Sequence, residues 1–212
     1  MNDSNKVEKV FLLLQQVTNI QIISDFLKKK NLNYSAQSWD KLYDTRLSPY
    51  LQSGEITIDD LMMLLRDVEE HGRQHVFLYE CKTTKTDEFF DEGRIKDCLD
   101  KIGIADLLES PKLIDQPSTP TITDVRFETG ANSKALVIKV VEQRIYDKLL
   151  EEQVLADDIF IKKYQKVKER AVNLFKLHKN GMLEVRIGSH NNSSNYSKDL
   201  ENIKKIIKDS RN

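Results

Sequence analysis

The sequence predicts an α+β protein in which a small N-terminal helical bundle precedes a C-terminal antiparallel β-rich domain. Three observations predict it. Apolar residues recur at helical spacing through the first 72 positions, they switch to alternation beyond residue 121, and three of the four prolines fall between, within 109–121. The expected division is a helical domain over 1–108, a linker over 109–121, and a β-rich domain with a terminal helix over 122–212.

The helical elements are recognised by their stripes. "VEKVFLLLQQV" sets Val7, Val10, Phe11, Leu14 and Val17 on one face, and "IQIISDFLKKKN" repeats the pattern with Ile20, Ile23, Phe26 and Leu27 before three lysines that suit a helix C-terminus. Ser38 is a cap ahead of an inward Trp39, Leu42 and Tyr43, and Pro49 and Gly54 punctuate the next segment. In "TIDDLMMLLRDVEEHG", Thr57 and Asp60 stand at capping-box spacing, Leu61, Leu64, Leu65 and Val68 form the stripe, and Gly72 ends it. "HVFLYECK" reads as a strand with Val76, Leu78 and Glu80 on one face and Phe77, Tyr79 and Cys81 on the other, although so short an apolar run also fits a buried helix turn. "DEFFDEGRIKDCLDKIG" is a further helix, capped by Asp87, with Phe90, Ile95, Leu99 and Ile102 inward and Gly103 beyond its end.

Past the prolines, "TITDVRFE" and "SKALVIKVV" flank "TGAN" as a hairpin. "IYDKLLEEQ" is read as a crossover helix. "IFIKKYQKV" and "AVNLFKLHKNGMLEVRIG" return to strand, with Asn180-Gly181 as a two-residue turn. "SKDLENIKKIIKD" is the terminal helix, capped by Ser197.

Composition narrows the function. Hydrophobic residues make up 39% and charged residues 32%, and no apolar run approaches the ~20 residues of a membrane span, so no membrane role is expected. The first residues lack the basic start and cleavage pattern of a secretory leader, which points to an intracellular protein, cytoplasmic or nuclear. Cys81 and Cys98 stand outside any Cys-x-x-Cys or Cys/His cluster, so reduced thiols are expected and neither a disulfide nor a metal site. The net charge of −1 conceals an asymmetry: residues 32–158 hold 15 basic and 26 acidic side chains, residues 159–212 hold 13 and 5. A basic C-terminal quarter suits a polyanion or an acidic partner.

Catalytic patterns are sparse. Glu80 and Lys82 end an apolar run as Glu-x-Lys, the form in which a metal-dependent nuclease presents a metal ligand and a lysine that steadies the attacking water. Such a core needs a second carboxylate, and the upstream candidates Asp59, Asp60 and Asp67 sit within the predicted helix. His71 and His75 stand four apart, but Gly72 interrupts them. Neither His178 nor His190 has neighbours for a triad, and no phosphate-cradling glycine loop or zinc-protease motif occurs, so no cofactor is expected. The binding material is richer. Lys162, Lys163, Lys166, Lys168, Arg170, Lys176 and Lys179 interleave with Phe160, Tyr164 and Phe175, and in a strand Lys162, Tyr164, Lys166 and Lys168 share one face able to meet phosphates and bases.

The succession of a helical bundle into "EITIDDLMMLLRDVEEHGRQHVFLYECK", then "DEFFDEGRIKDCLDKIG", then "TDVRFETGANSKALVIKVV" resembles the N-terminal region of the centromere protein N family over residues 5–145. The resemblance implies a death-fold-like helical domain joined to a β-rich one, and binding to nucleosomes and partner proteins. The sequence thus favours a non-catalytic recognition or adaptor module that binds nucleic acid or a nucleoprotein through the basic C-terminal surface. The alternatives are a protein-interaction module whose helical domain docks a partner, and the Glu80/Lys82 nuclease.

Overall fold

The computed structural model describes residues 3–81, 86–130, 133–154, 160–189, 196, 200 and 201. The protein is α+β, with helices leading and an antiparallel sheet following. It divides into two compact units, 1–72 and 73–212.

In the first unit, α1 (Asp3–Val17) and α2 (Ile20–Lys29) are bent from one another by 120°. The break is chemical: Asn19 turns extended, and its Oδ1 accepts from Ile22 N at 3.1 Å. The far end of α2 closes as a Schellman turn, with Asn31 at φ 59° and with Leu32 N and Asn31 N donating to Leu27 O and Lys28 O. α3 (Trp39–Leu42), capped by Ser38, runs through a wider π turn at Tyr43–Leu47 into α4 (Ser48–Ser53). Pro49 follows in the first turn of α4, where its missing N–H is tolerated. α5 (Ile58–His71) has the full capping box predicted, with Asp60 Oδ2 accepting from Thr57 N at 2.9 Å and Thr57 Oγ1 from Asp60 N at 3.2 Å. The stripes meet in a core of Val10, Leu14, Ile23, Leu27, Leu42, Leu47 and Leu61, edged by Phe11 against Trp39 and Tyr43. Gly72 ends α5 for another reason than a left-handed cap: its φ is −71°, and a Cβ there would stand 2.8 Å from Val68 O.

The second unit is built on strands β1 (Gln74–Glu80), β2 (Thr121–Gly130), β3 (Ser133–Val154), β4 (Phe160–His178) and β5 (Met182–Gly188), in the antiparallel order β1-β5-β4-β3-β2. One face buries Val140, Phe175, Val185 and Ile187 with Phe77 and Tyr79 beneath Tyr196 and Leu200. Beside it, Val125 and Leu136 pack against Leu99 and Leu107. These last two come from α6 (Glu92–Lys101) and a 3₁₀ turn at Ala105–Leu108.

Several expectations change. The division falls at 72/73 and not at 108/109, because β1 pairs with β5 and α6 packs on the sheet. The proline segment 109–121 is laid along the sheet and not slung between domains: Lys112 N donates to Thr123 O, Gln143 N to Pro117 O, and Arg170 Nε to Ile114 O. Asp91, not Asp87, caps α6, and a separate 3₁₀ turn holds Thr86–Phe90. "IYDKLLEEQ" is no helix but the outer half of β3, paired with β4 throughout except at Leu150, where the register shifts. The β4–β5 connection is also one residue longer than expected: Lys179, Asn180 and Gly181 form it, with Gly181 at φ 87° and its N–H on His178 O, as in a three-residue hairpin loop. The terminal-helix cap at Ser197 lies outside the described residues. Among the described residues no single helix is long and apolar enough to cross a membrane.

Candidate functional site

The most unusual feature of the second unit is the length of β3 and β4. β2 stops pairing with β3 at Thr121↔Val141, and β5 stops pairing with β4 at Asn173↔Ile187. Beyond Arg144↔Glu169 the two strands continue as a ribbon through residues 145–154 and 160–168, roughly 33 Å at ~3.3 Å per residue. Among the described residues no second layer covers this two-stranded ribbon, and its apolar side chains are exposed: Leu149 is 44% exposed, Tyr164 55%, Phe160 60% and Val154 80%.

Register assigns the faces. Opposed residues share a face, so one side of this arm carries Ile145/Lys168, Asp147/Lys166 and Leu149/Tyr164. A bulge at Leu150 then restores the pairing, and Glu152/Lys162 and Val154/Phe160 complete the same side. Lys163, opposite Glu151, points to the other. The expected sharing of one face by Lys162, Tyr164, Lys166 and Lys168 is therefore observed. What the charge count missed is the partner strand. Lys162 Nζ lies 3.2 Å from Glu152 Oε1 and 5.2 Å over the Phe160 ring, and Asp147 opposes Lys166. On the arm Asp147, Glu151 and Glu152 of β3 thus oppose Lys166, Lys163 and Lys162 of β4, while Lys168 faces Ile145.

The other expected cations lie elsewhere. Lys176 is in the sheet body, its Nζ 2.7 Å from Glu128 Oε2, about 46 Å along the strand from Lys162 at ~3.3 Å per residue. Arg170 donates to Ile114 O, and Lys179 is in the β4–β5 turn at the opposite end. The seven residues form no single patch. Lys176 instead joins a ladder across the sheet face opposite the core, with Arg126 bridging Asp124 and Glu128, and with Arg186 and His178 on Glu184. Burial by itself raises the Glu128 and Glu184 carboxyls. The hydrogen bonds from Lys176 and Arg126, and from Arg186 and His178, outweigh it and hold both below the usual glutamate range. Carboxylates depressed in the folded state stabilise it above their unfolded value and cease to do so as pH falls through the folded one. Denaturant unfolding is expected to show stability level above about pH 5 and declining from about pH 4.3 downward, with a shallower decline in Glu128→Gln/Glu184→Gln.

The arm is rooted in a network the sequence did not announce. Asn173 is fully buried, its Nδ2 donating to Glu142 Oε1 at 2.9 Å. The Arg144 guanidinium donates to Asn173 Oδ1 at 2.9 Å, to Glu142 Oε1 at 2.8 Å and to Gly188 O at 2.6 Å. Gly188 admits this approach of strands: a Cβ would meet Val172 O at 3.1 Å.

Glu80 ends the edge strand β1, exposed and opposite Met182. The next carboxylate on its face along β5 is Glu184, held by Arg186 and His178. Lys82 lies outside the described residues. Asp60 is committed to Lys30, 2.8 Å away, and to the α5 cap, which together hold its carboxyl low. Among the described residues no three His, Cys, Asp or Glu side chains stand close enough to hold a metal ion. His71 Nδ1 meets Asp67 O, while His75 stacks on Tyr196 at 3.7 Å. In the first unit, α2 and α5 enclose a groove of about 740 Å³ floored by Ile22, Phe26, Met63, Leu64 and Val68, and rimmed by Asp25, Asp67, Lys28 and Lys29.

No protein-family model, curated protein or solved structure matches the chain.

Proposed function

We propose that the chain is a non-catalytic recognition module that holds a protein partner with the projecting β3–β4 arm. The observation that carries this reading is the exposed row Leu149, Tyr164, Val154 and Phe160 on one face of a ribbon that no other layer covers among the described residues. Exposed apolar groups of this kind add nothing to a monomer's stability and suit a contact surface. The lysines between them are opposed by acids, which favours a mixed-charge protein surface over a polyanion, since phosphates approaching Lys162 also approach Glu152.

A second reading has its own support. Lys162, Lys166 and Lys168 with Tyr164 on one face are the groups that single-stranded or duplex nucleic acid engages, and the resemblance to the centromere protein N family points to a nucleoprotein. The two readings separate in one design. Residues 147–166 are replaced by Asn-Gly, which closes the hairpin on the existing Tyr146↔Val167 pair. The protein reading expects a photocrosslinker at Leu149 to capture protein, with no capture from a matched crosslinker on α6. It also expects no binding of a labelled DNA duplex or single strand at low salt. Salt-sensitive DNA binding that disappears in Lys162→Glu/Lys166→Glu/Lys168→Glu and in the excised chain would overturn it in favour of the second.

A further inference from the structure

We propose that the partner held by the arm is a second copy of this chain, the two arms packed face to face about a two-fold axis that runs along them. The inference rests on the reading of the arm as a contact surface and adds the identity of what covers it.

The apolar face of the arm is layered. Going outward from the sheet, a mixed row Ile145/Lys168 at the root is followed by a charged row Asp147/Lys166, an apolar row Leu149/Tyr164, a charged row Glu152/Lys162 and an apolar row Val154/Phe160. In every charged row the acid is on β3 and the lysine on β4. The face is thus two columns, one acidic and one basic, with apolar layers crossing both.

Two identical ribbons can stack on this face about either of two in-plane axes. An axis perpendicular to the strands lays β3 over β3 and β4 over β4, setting acids against acids and lysines against lysines, an arrangement that like-charge repulsion disfavours. An axis along the strands lays β3 over the other copy's β4 at the same height. Asp147 then faces Lys166 of the other copy, Leu149 faces its Tyr164, Glu152 its Lys162 and Val154 its Phe160. The four outer layers each meet their complement, and the contact is isologous, as a closed dimer requires. The same pairing supplies what a lone ribbon lacks. Two strands without a second layer are marginal in water, and a second ribbon provides the missing face.

The test is the oligomeric state in solution, by sedimentation velocity across a micromolar dilution series. Wild type is expected to be a dimer. Lys162→Glu/Lys166→Glu makes both charged rows acidic, and Asp147→Lys/Glu152→Lys makes both basic, so each double variant alone is expected to dissociate roughly ten-fold more readily or worse. An equimolar mixture of the two is expected to form a heterodimer. The quadruple variant, which exchanges the columns and keeps every cross-strand pair of opposite charge within the arm, is expected to dimerise again. This last protein separates lost association from a damaged ribbon. A monomeric wild type, double variants as dimeric as wild type, or a monomeric quadruple variant would each overturn the proposal. The outcome also distinguishes this inference from the reading beneath it. A monomeric wild type whose Leu149 crosslinks to a different protein removes the second copy and keeps the arm as a contact surface, and no crosslink at all removes both.

Discussion

Replacing Arg144 by leucine is expected to lower the melting temperature of the second unit by roughly 10 °C, the equivalent of about 3–5 kcal/mol for removing one partner of a buried, hydrogen-bonded charge. The guanidinium is the hub of the arm's root. It donates to Glu142, Asn173 and the Gly188 carbonyl, and its side chain is largely withdrawn from water. Leucine fills similar space but leaves the fully buried Asn173 amide oxygen without its donor and the Glu142 carboxylate with the Asn173 amide as its remaining partner in the network and no opposite charge beside it. Lysine in place of Arg144 keeps the charge and loses the planar fork that reaches three acceptors, so it is expected to recover only part of the loss. Calorimetry of the three proteins checks the order wild type, lysine, leucine. An Arg144→Leu protein that melts within a degree or two of wild type would show that the network is dispensable.

How much of this was legible in the sequence differs between the two units. The helical unit was readable because its signals are local. Asn19, Ser38 and the Thr57/Asp60 pair act on backbone within three residues, and the stripes of α1, α2 and α5 need only their own spacing. The sheet unit depends on partners far apart in the chain. β1 finds β5 about a hundred residues later, and nothing inside "HVFLYECK" announces it, so the local signals point to a boundary at the prolines instead. The prolines mark a segment that lies along the sheet, where missing N–H groups are tolerated. In "IYDKLLEEQ", Ile145 and Leu149 stand four apart and fit a helix as well as a strand. The long register with β4 decided it.

The site shows the same limit more sharply. Dividing the chain's charge at residue 158 cuts through the connection between β3 and β4, separating the acids of one strand from the lysines of its neighbour. The basic quarter is real as a count, but on the arm three of its lysines face acids across the ribbon. Alternation correctly placed Lys162, Tyr164, Lys166 and Lys168 together, because side-chain direction in a strand is a local property. That Asn173 is buried with Arg144 and Glu142 had no local signature, since polar residues at alternating positions read equally as a solvated face.

One strand offers an internal comparison that tests whether the arm exists for stability or for contact. Phe175 and Phe160 both belong to β4, fifteen positions apart, and differ chiefly in what surrounds them. Phe175 is buried with Val140, Val185 and Ile187, and Phe175→Ala is expected to cost about 3–5 kcal/mol through lost burial and the cavity left behind. Phe160 is 60% exposed in the ribbon, and Phe160→Ala in the monomer is expected to change stability by no more than about 0.5 kcal/mol. Denaturant unfolding of both variants, at a dilution where the wild type sediments as a monomer, measures the difference directly. A near-neutral Phe160→Ala means the side chain is held in water at no benefit to the fold, which is the condition for assigning it to a contact. A loss comparable to that of Phe175→Ala would mean that Phe160 is already covered within one chain, and the arm's exposed face would no longer argue for any partner.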